Sequence, residues 1–323
     1  MKRRRFLSTL AAAFPIAAAS TARPRAPFAS PEGSRAAVPS ASADAARPDV
    51  LTKAVPSTGV EIPVIGMGTW ITFNVGNDPE ARAQRTGVAR AFFAGGGGLI
   101  DSSPMYGSSE AVVGHALTEI GYPDSLFSAT KVWTSSAREG PEQVERSERL
   151  WGVDRFDLQQ VHNLVAWEDH LPMLFEMKAE GRVRHVGITT SHGRRHGEME
   201  RIMETHPIDF VQLTYNVVDR RAEDRLLPLA RERGIAVIAN RPFRGGPLVR
   251  RLQQEPFPAW AREFDAVNWP QFLLKFIVSH PALTCAIPAT TKVEHMHENM
   301  GAATGRLPDA EMRSRMLDYV TGL

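Results

Sequence analysis

The stretch Leu99-Ile100-Asp101-Ser102-Ser103-Pro104-Met105-Tyr106-Gly107 decides the fold of this chain. Two apolar residues lead into a carboxylate, Pro104 turns the chain, and a tyrosine follows five positions after the acid. Such a pattern predicts a short buried strand releasing Asp101 at its C-terminal end, then a loop presenting a phenol beside it. The glycine run Gly95–Gly98 precedes the strand and acts as a helix stop, not as a phosphate-binding fingerprint. A phenol has an unperturbed pKa of about 10, so it becomes a useful proton donor near neutrality only beside a cation that favours the phenolate. In the next such stretch, Phe127–Trp133, a strand-like run ends in Lys131, and the run after it, Phe156–Val161, leads into His162-Asn163.

Working outward, strands are expected at 64–67, 99–101, 126–131, 156–161, 183–188, 210–213, 236–240 and 285–287. They are short and mostly apolar, with helical stretches between them, which is the pattern of a parallel sheet covered on both faces. Eight such units in about 270 residues fit an α/β fold of the (β/α)8 TIM-barrel type better than an open sheet. Asp101, Lys131 and His162 then fall at strand C-termini, where the chemistry of a barrel is placed. Ahead of the barrel, Leu51–Val55 and Val60–Pro63 flank a Pro56–Gly59 turn and predict an N-terminal β-hairpin. Asn268-Trp269-Pro270 is a helix start, and an extra C-terminal helix is expected near Asp309–Val320. The connection Arg244–Ala266 is long for a βα loop, which marks it as functional.

These residues resemble the aldo/keto reductase family. The similarity runs from about Leu51 to the C-terminus, through Gly66-Met67-Gly68-Thr69-Trp70, the Asp101/Tyr106-Gly107 motif, Ala129-Thr130-Lys131 and Val161-His162-Asn163. It continues through Gly181–Gly187, Ile287-Pro288 and Glu298-Asn299. The resemblance implies reversible NAD(P)H-dependent reduction of an aldehyde or ketone to an alcohol. In it Tyr106 gives the proton, Lys131 favours the phenolate, Asp101 holds the lysine and His162 orients the substrate oxygen. It also implies a bound nicotinamide dinucleotide, because no side chain carries a hydride. Gln212 matches the glutamine that binds the carboxamide. Thr189 and Thr190 stand where relatives carry serine and asparagine, and Asn240 stands where many carry a stacking aromatic. Arg241 and Arg244 are placed for the pyrophosphate. Thr290, Lys292 and His295 lie at the adenosine end, where Glu298 and Asn299 match the pair that holds adenine. NADP(H) is favoured and NAD(H) is possible. Trp70, Trp133 and Asn163 are expected to wall the substrate pocket. A cofactor-binding redox sensor or accessory subunit with little turnover is the alternative that the same residues allow.

The full chain has 323 residues, 43% of them hydrophobic, and a net charge of +2. Interspersed charge of that size points to no nucleic-acid partner. Met1–Ala22 reads as a twin-arginine signal peptide, with Arg3-Arg4-Arg5-Phe6-Leu7 followed by a short alanine-rich apolar run. Export by the Tat machinery, to a bacterial periplasm, is the expectation. The apolar run is too short for a stable membrane span and is broken by Pro15. Residues 23–49, rich in Ala, Pro, Ser and Arg, read as a disordered linker, which leaves 50–323 for the barrel. The single cysteine, Cys285, sits in an apolar run and reads as a small buried hydrophobe. His192 and His196 have helical spacing but no third ligand nearby, so no metal site is expected. The oligomeric state is not legible.

Overall fold

Short parallel strands that are apolar on both faces are left without an edge only if the sheet closes on itself. The computed structural model describes Asp49–Leu323, and in it the sheet closes. The signal and all of the linker except Asp49 lie outside the described residues. A hairpin comes first, β1 (Thr52–Ala54) antiparallel to β2 (Glu61–Pro63). The barrel strands are β3 (Met67–Gly68), β4 (Leu99–Asp101), β5 (Phe127–Val132), β6 (Phe156–Val161), β7 (Val183–Thr189), β8 (Phe210–Thr214), β9 (Ala236–Asn240) and β10 (Cys285–Ala286), in sequential order. At the seam, Gly66 N donates to Ala286 O at 2.8 Å and Gly68 N to Pro288 O at 3.0 Å. Only glycine permits this approach: a Cβ on Gly66 would meet Leu99 O at 2.8 Å, and one on Gly68 would meet Ile287 O at 2.9 Å. The tight seam also shortens its two strands, so β3 begins at Met67 rather than Val64, with Ile65 making an isolated bridge to Ala286.

The covering helices are α1 (Pro79–Ala94), α2 (Ser109–Ile120), α3 (Glu139–Trp151), α4 (Trp167–Ala179), α5 (His196–Thr205), α6 (Leu226–Arg233), α7 (Pro247–Leu252), α8 (Trp269–Val278), α9 (Val293–Met300) and α10 (Ala310–Gly322). Their starts follow local chemistry. Asp78, Asn268 and Asp309 each accept a backbone N–H three residues on, capping α1, α8 and α10. Gly95 caps the end of α1, as the glycine run predicts. The long connection after β9 is ordered: it contains α7, and Lys275 Nζ inside α8 donates to Phe264 O, Thr304 O and Arg306 O at 2.7–2.9 Å. No helix among the described residues is long and apolar enough to cross a membrane.

Alternation along the strands divides the apolar residues into two cores. Ile100, Val132, Val161, Val186 and Val211 face the helices. Leu99, Phe127, Ala129, Leu158, Phe210, Ile238 and Cys285 fill the barrel, where Val55 and Ile62 of the hairpin join them. His185 ties the hairpin to this floor, its Nε2 2.9 Å from Thr58 Oγ1 and its ring stacked on Phe127 at 5.7 Å. One end of the barrel is thus shut by the hairpin, and the chemistry is confined to the other.

Candidate active site

Asp101 ends β4, Lys131 lies one residue from the end of β5, and His162 follows β6. Tyr106 sits in a single helical turn, Pro104–Tyr106, that Pro104 initiates just after β4. Lys131 Nζ donates to Asp101 Oδ2 at 2.7 Å and to Ser102 O at 2.6 Å, with both charged groups buried. Asp101 Oδ1 accepts from Gln212 Nε2 at 2.8 Å and from Gln160 Nε2 at 3.2 Å. The carboxylate is therefore held on both oxygens, which is the condition for keeping an ion pair out of water. The Tyr106 ring centroid lies 5.2 Å from Lys131 Nζ and 5.6 Å from the His162 ring, which stands nearly perpendicular to it at 85°.

His162 Nδ1 is 2.8 Å from Ser103 Oγ, while Ser103 Oγ accepts from Met105 N at 3.2 Å. The serine proton can go to Nδ1, the arrangement that carries the imidazole proton on Nε2. Burial and the Lys131 charge push His162 down to about 2, so the ring is neutral at physiological pH. Burial, assisted by Asp101, pushes the Tyr106 phenol well above its ordinary value. This is opposite to the direction expected from a nearby lysine. Asp101 neutralises the Lys131 cation locally, so desolvation of the phenol dominates. Burial also lowers Lys131, against the pull of Asp101.

A cavity of ≈ 320 Å³ opens above these groups. Tyr106, His162, Asp101, Asn163, Trp70, Thr189, Thr190, Gln212, Asn240 and Arg241 all line it, and Lys131 lies beneath. Trp133 does not: it faces a neighbouring cleft with Glu110 and Val165, because Gln143 clamps its backbone N and O from α3. Arg244 stands outside the cavity, paired to Asp219 at 3.0 Å. Thr290, Lys292 and His295 gather around the start of α9 and Glu298 and Asn299 lie in its last turn, all outside the cavity. There Thr290 Oγ1 accepts from Lys292 N at 3.1 Å and lies 3.4 Å from His295 Nδ1. Lys292 and His295 are exposed, and Asn299 is buried.

The cavity wall fits a nicotinamide dinucleotide. Gln212 spends its Nε2 on Asp101, leaving Oε1 as an acceptor. Asn240 is fixed as a polar group, accepting from Thr214 Oγ1 at 2.7 Å and donating to Thr190 O at 2.9 Å. Arg241, whose guanidinium lies 5.8 Å from the Trp70 ring across the mouth, supplies charge for a phosphate. Ten described non-glycine residues have positive φ, and all except Tyr122 lie in connections that leave the C-terminal ends of the strands. Each costs about 1–3 kcal/mol, and such strain persists where the surroundings over-determine it, typically at functional sites.

Three supporting residues were not singled out from the sequence. Gln160 pairs in register with Lys131, so strand alternation alone puts it on the inner face. Ser103 is a buried hydroxyl ahead of the Pro104–Tyr106 turn, a weak signal. Arg195, which donates to Asn163 O and Leu164 O, acts from a loop without any periodic pattern.

The model of the aldo/keto reductase family matches residues 64–315. Methylglyoxal reductase YeaE of Escherichia coli (strain K12) is 28% identical over 269 residues, covering 81% of this chain and 92% of its own length. Aldo-keto reductase str7 of Strobilurus tenacellus is 28% identical, covering 72% of this chain and 80% of its own. Among solved structures, an aldo/keto reductase from Klebsiella pneumoniae in complex with NADP and acetate has the same fold, with a TM-score of 0.69 and 23% identity over 81% of this chain and 93% of its own. Because the family match takes in nearly the whole barrel, seam to C-terminal helix, this chain belongs to the aldo/keto reductase family.

Proposed function

We propose that this protein reduces an aldehyde or ketone to the alcohol, reversibly, with NADP(H) as its cofactor. The observation that carries this is the buried Asp101–Lys131 pair beneath a protonated Tyr106, beside a neutral His162 on one cavity wall. When bound, the nicotinamide supplies hydride. Gln212, Asn240, Thr189 and Thr190 would hold its amide end, and Arg241 and Arg244 the pyrophosphate. Lys292, His295 and Thr290 would meet a 2′-phosphate, with Glu298 and Asn299 at the adenine. The exposed cation Lys292 at the start of α9 favours the phosphorylated cofactor.

The chain's own groups then act on the substrate oxygen. Tyr106 Oη and His162 Nε2 both donate to it and so polarise the carbonyl. As negative charge develops on that oxygen, the Tyr106 proton moves to it, and the Lys131 cation 5.2 Å from the ring offsets the charge left on the phenol. In the oxidative direction Tyr106 takes the proton back. The raised phenol favours the protonated resting form, which suits reduction.

The purified protein should be assayed with NADPH and NADH against a panel of aldehydes, ketones and sugars. Turnover with NADPH exceeding that with NADH is expected. Tight cofactor binding without turnover of any carbonyl would refute the reductase and favour the sensor.

Export is part of the same proposal. It rests on the Arg3-Arg4-Arg5-Phe6-Leu7 pattern and the apolar run after it. Folding around the cofactor before transport would suit the twin-arginine route. Cell fractionation with N-terminal sequencing tests this: a mature end near Ala22 in the periplasm is expected, and a cytoplasmic chain retaining Met1 would overturn it.

A further inference from the structure

The turn that carries His162 into the cavity is strained along its length. Asn163, Leu164 and Ala166 all have left-handed backbone, with φ of 53°, 56° and 45°, and none is glycine. No strand pairing holds them, since β6 ends at Val161. Asn163 N donates to Thr189 Oγ1 at the end of β7 at 3.0 Å, and the carbonyls are held from the next connection. Arg195 Nη1 donates to Asn163 O at 2.8 Å and to Leu164 O at 2.9 Å. The rest of the guanidinium forks onto Glu198, with Nε to Oε2 at 2.5 Å and Nη2 to Oε1 at 2.6 Å. Glu198 Oε1 in turn accepts from Trp167 Nε1 at 2.9 Å, and Trp167 is the first residue of α4, at the far end of the same turn. The contacts close a ring: turn, Arg195, Glu198, Trp167, turn.

We propose that Arg195 is a positioning residue that acts through His162. Glu198 locks its fork, and the fork fixes the two carbonyls that follow the histidine. Arg195 does not line the cavity and has no part in the Asp101–Lys131 pair. Its side chain is 41% exposed and that of Glu198 21%. An ion pair so accessible stabilises a fold little. Its hydrogen bonds, by contrast, go to the one turn whose shape sets where Nε2 of His162 points. This inference rests on the reductase reading of His162, and its test includes a readout independent of turnover.

Three variants of the full chain, Arg195→Met, Arg195→Lys and Glu198→Gln, should be compared with wild type. Reduction of 4-nitrobenzaldehyde by NADPH gives kcat and KM, and fluorescence titration gives NADPH affinity. Imidazole nitrogen–proton correlations, taken on ligand-free protein, give the His162 tautomer. For Arg195→Met, kcat should fall by about ten- to a hundredfold, the scale of a remote misplacement. NADPH affinity should stay within about twofold, and the single Nε2–H pattern of His162 should give way to mixed tautomers. Arg195→Lys, which can reach one carbonyl but cannot fork, should be intermediate. In a His162→Gln background, Arg195→Met should lower kcat no further, because the two residues act as a unit. An Arg195→Met enzyme with wild-type kcat and an unchanged His162 pattern would overturn the proposal. So would an equal loss in the His162→Gln background. Should Arg195→Met fail to fold, Glu198→Gln, which only loosens the fork, carries the same readouts with smaller expected losses. A wild-type protein that reduces no carbonyl would refute the reductase instead, and the His162 pattern would still decide whether Arg195 positions it.

Discussion

Ser103 Oγ lies 2.8 Å from Nδ1 of His162, which leaves Nε2 as the imidazole nitrogen to meet a substrate. The serine accepts from Met105 N and can donate its own proton to the ring. His162 is held neutral by burial and the Lys131 charge, and a serine that donates to Nδ1 leaves Nε2–H as a donor beside Tyr106. A cationic imidazole could not stand so near the buried Lys131 ammonium.

Ser103→Ala removes the donor to Nδ1 and the acceptor for Met105 N. Leaving a buried polar group unpaired costs about 1–3 kcal/mol. The expected result is a kcat for carbonyl reduction lowered by about tenfold, with NADPH affinity unchanged. Steady-state kinetics beside a direct cofactor titration check this. A loss of affinity with kcat intact would place Ser103 in the wrong role.

Asp101→Asn leaves the Lys131 charge buried without its counterion. Breaking a buried pair from one side destabilises by about 3–5 kcal/mol. The double variant Asp101→Asn/Lys131→Met, which buries no charge, should be destabilised by clearly less than the sum of the single changes. Urea denaturation of the three variants measures it. Simple additivity would mean that the pair is not coupled as the 2.7 Å contact requires.

His162 also sets a pH dependence of stability. Its pKa is about 2 in the folded chain against an ordinary 6.5, so below pH 6.5 the unfolded chain takes up a proton that the native chain refuses. Its contribution is complete above pH 6.5 and is lost as pH falls from 6.5 toward 2, with a slope of up to about 1.4 kcal/mol per pH unit. His280, lowered to about 4 by burial and Arg313, adds a loss of the same sign between pH 6.5 and 4. His162→Gln should flatten the acid limb by about 2 kcal/mol between pH 8 and 5. In kinetics, kcat should show no inflection near 6.5 that belongs to His162. A limb there that His162→Gln abolishes would contradict the neutral ring.

Much of this is legible in the sequence. Strands Leu99–Asp101, Phe156–Val161 and Ala236–Asn240 have the expected bounds, because runs buried on both faces end where polar residues must reach the cavity. The positions of Asp101, Tyr106, Lys131 and His162 follow from those ends. What could not be read depends on contacts between distant segments. The phenol of Tyr106 shifts upward because burial among distant segments desolvates it, with the Asp101 charge adding to that. Trp133 turns to another cleft because Gln143, ten residues on, clamps its backbone. Asn240 is tied to Thr190 and Thr214, two neighbouring strand ends, and no local pattern announces that. The Arg195 fork, 32 residues from Asn163, belongs to the same class.

Lys292 carries the choice of cofactor in this account. Lys292→Glu puts a negative charge at the start of α9, where a 2′-phosphate would lie. NADPH affinity should fall by about tenfold or more while NADH affinity changes little, the size of a few tenths to about 2 kcal/mol expected for a charge at a helix terminus plus a lost ion contact. Fluorescence titration with both nucleotides decides it. Equal loss for the two would move the 2′-phosphate site elsewhere.

Tyr106 is proposed to hand the proton to the substrate oxygen. Tyr106→Phe deletes one oxygen and leaves the ring against His162 and Lys131. The decisive measurement is a single-turnover reduction of an aldehyde by NADPH-loaded enzyme, wild type against Tyr106→Phe, with NADPH affinity measured on both. General acid catalysis is worth about 10²–10⁴-fold, so a rate lower by at least about a hundredfold with unchanged NADPH affinity is the predicted result. A Tyr106→Phe enzyme that reduces the aldehyde at the wild-type rate would contradict the account.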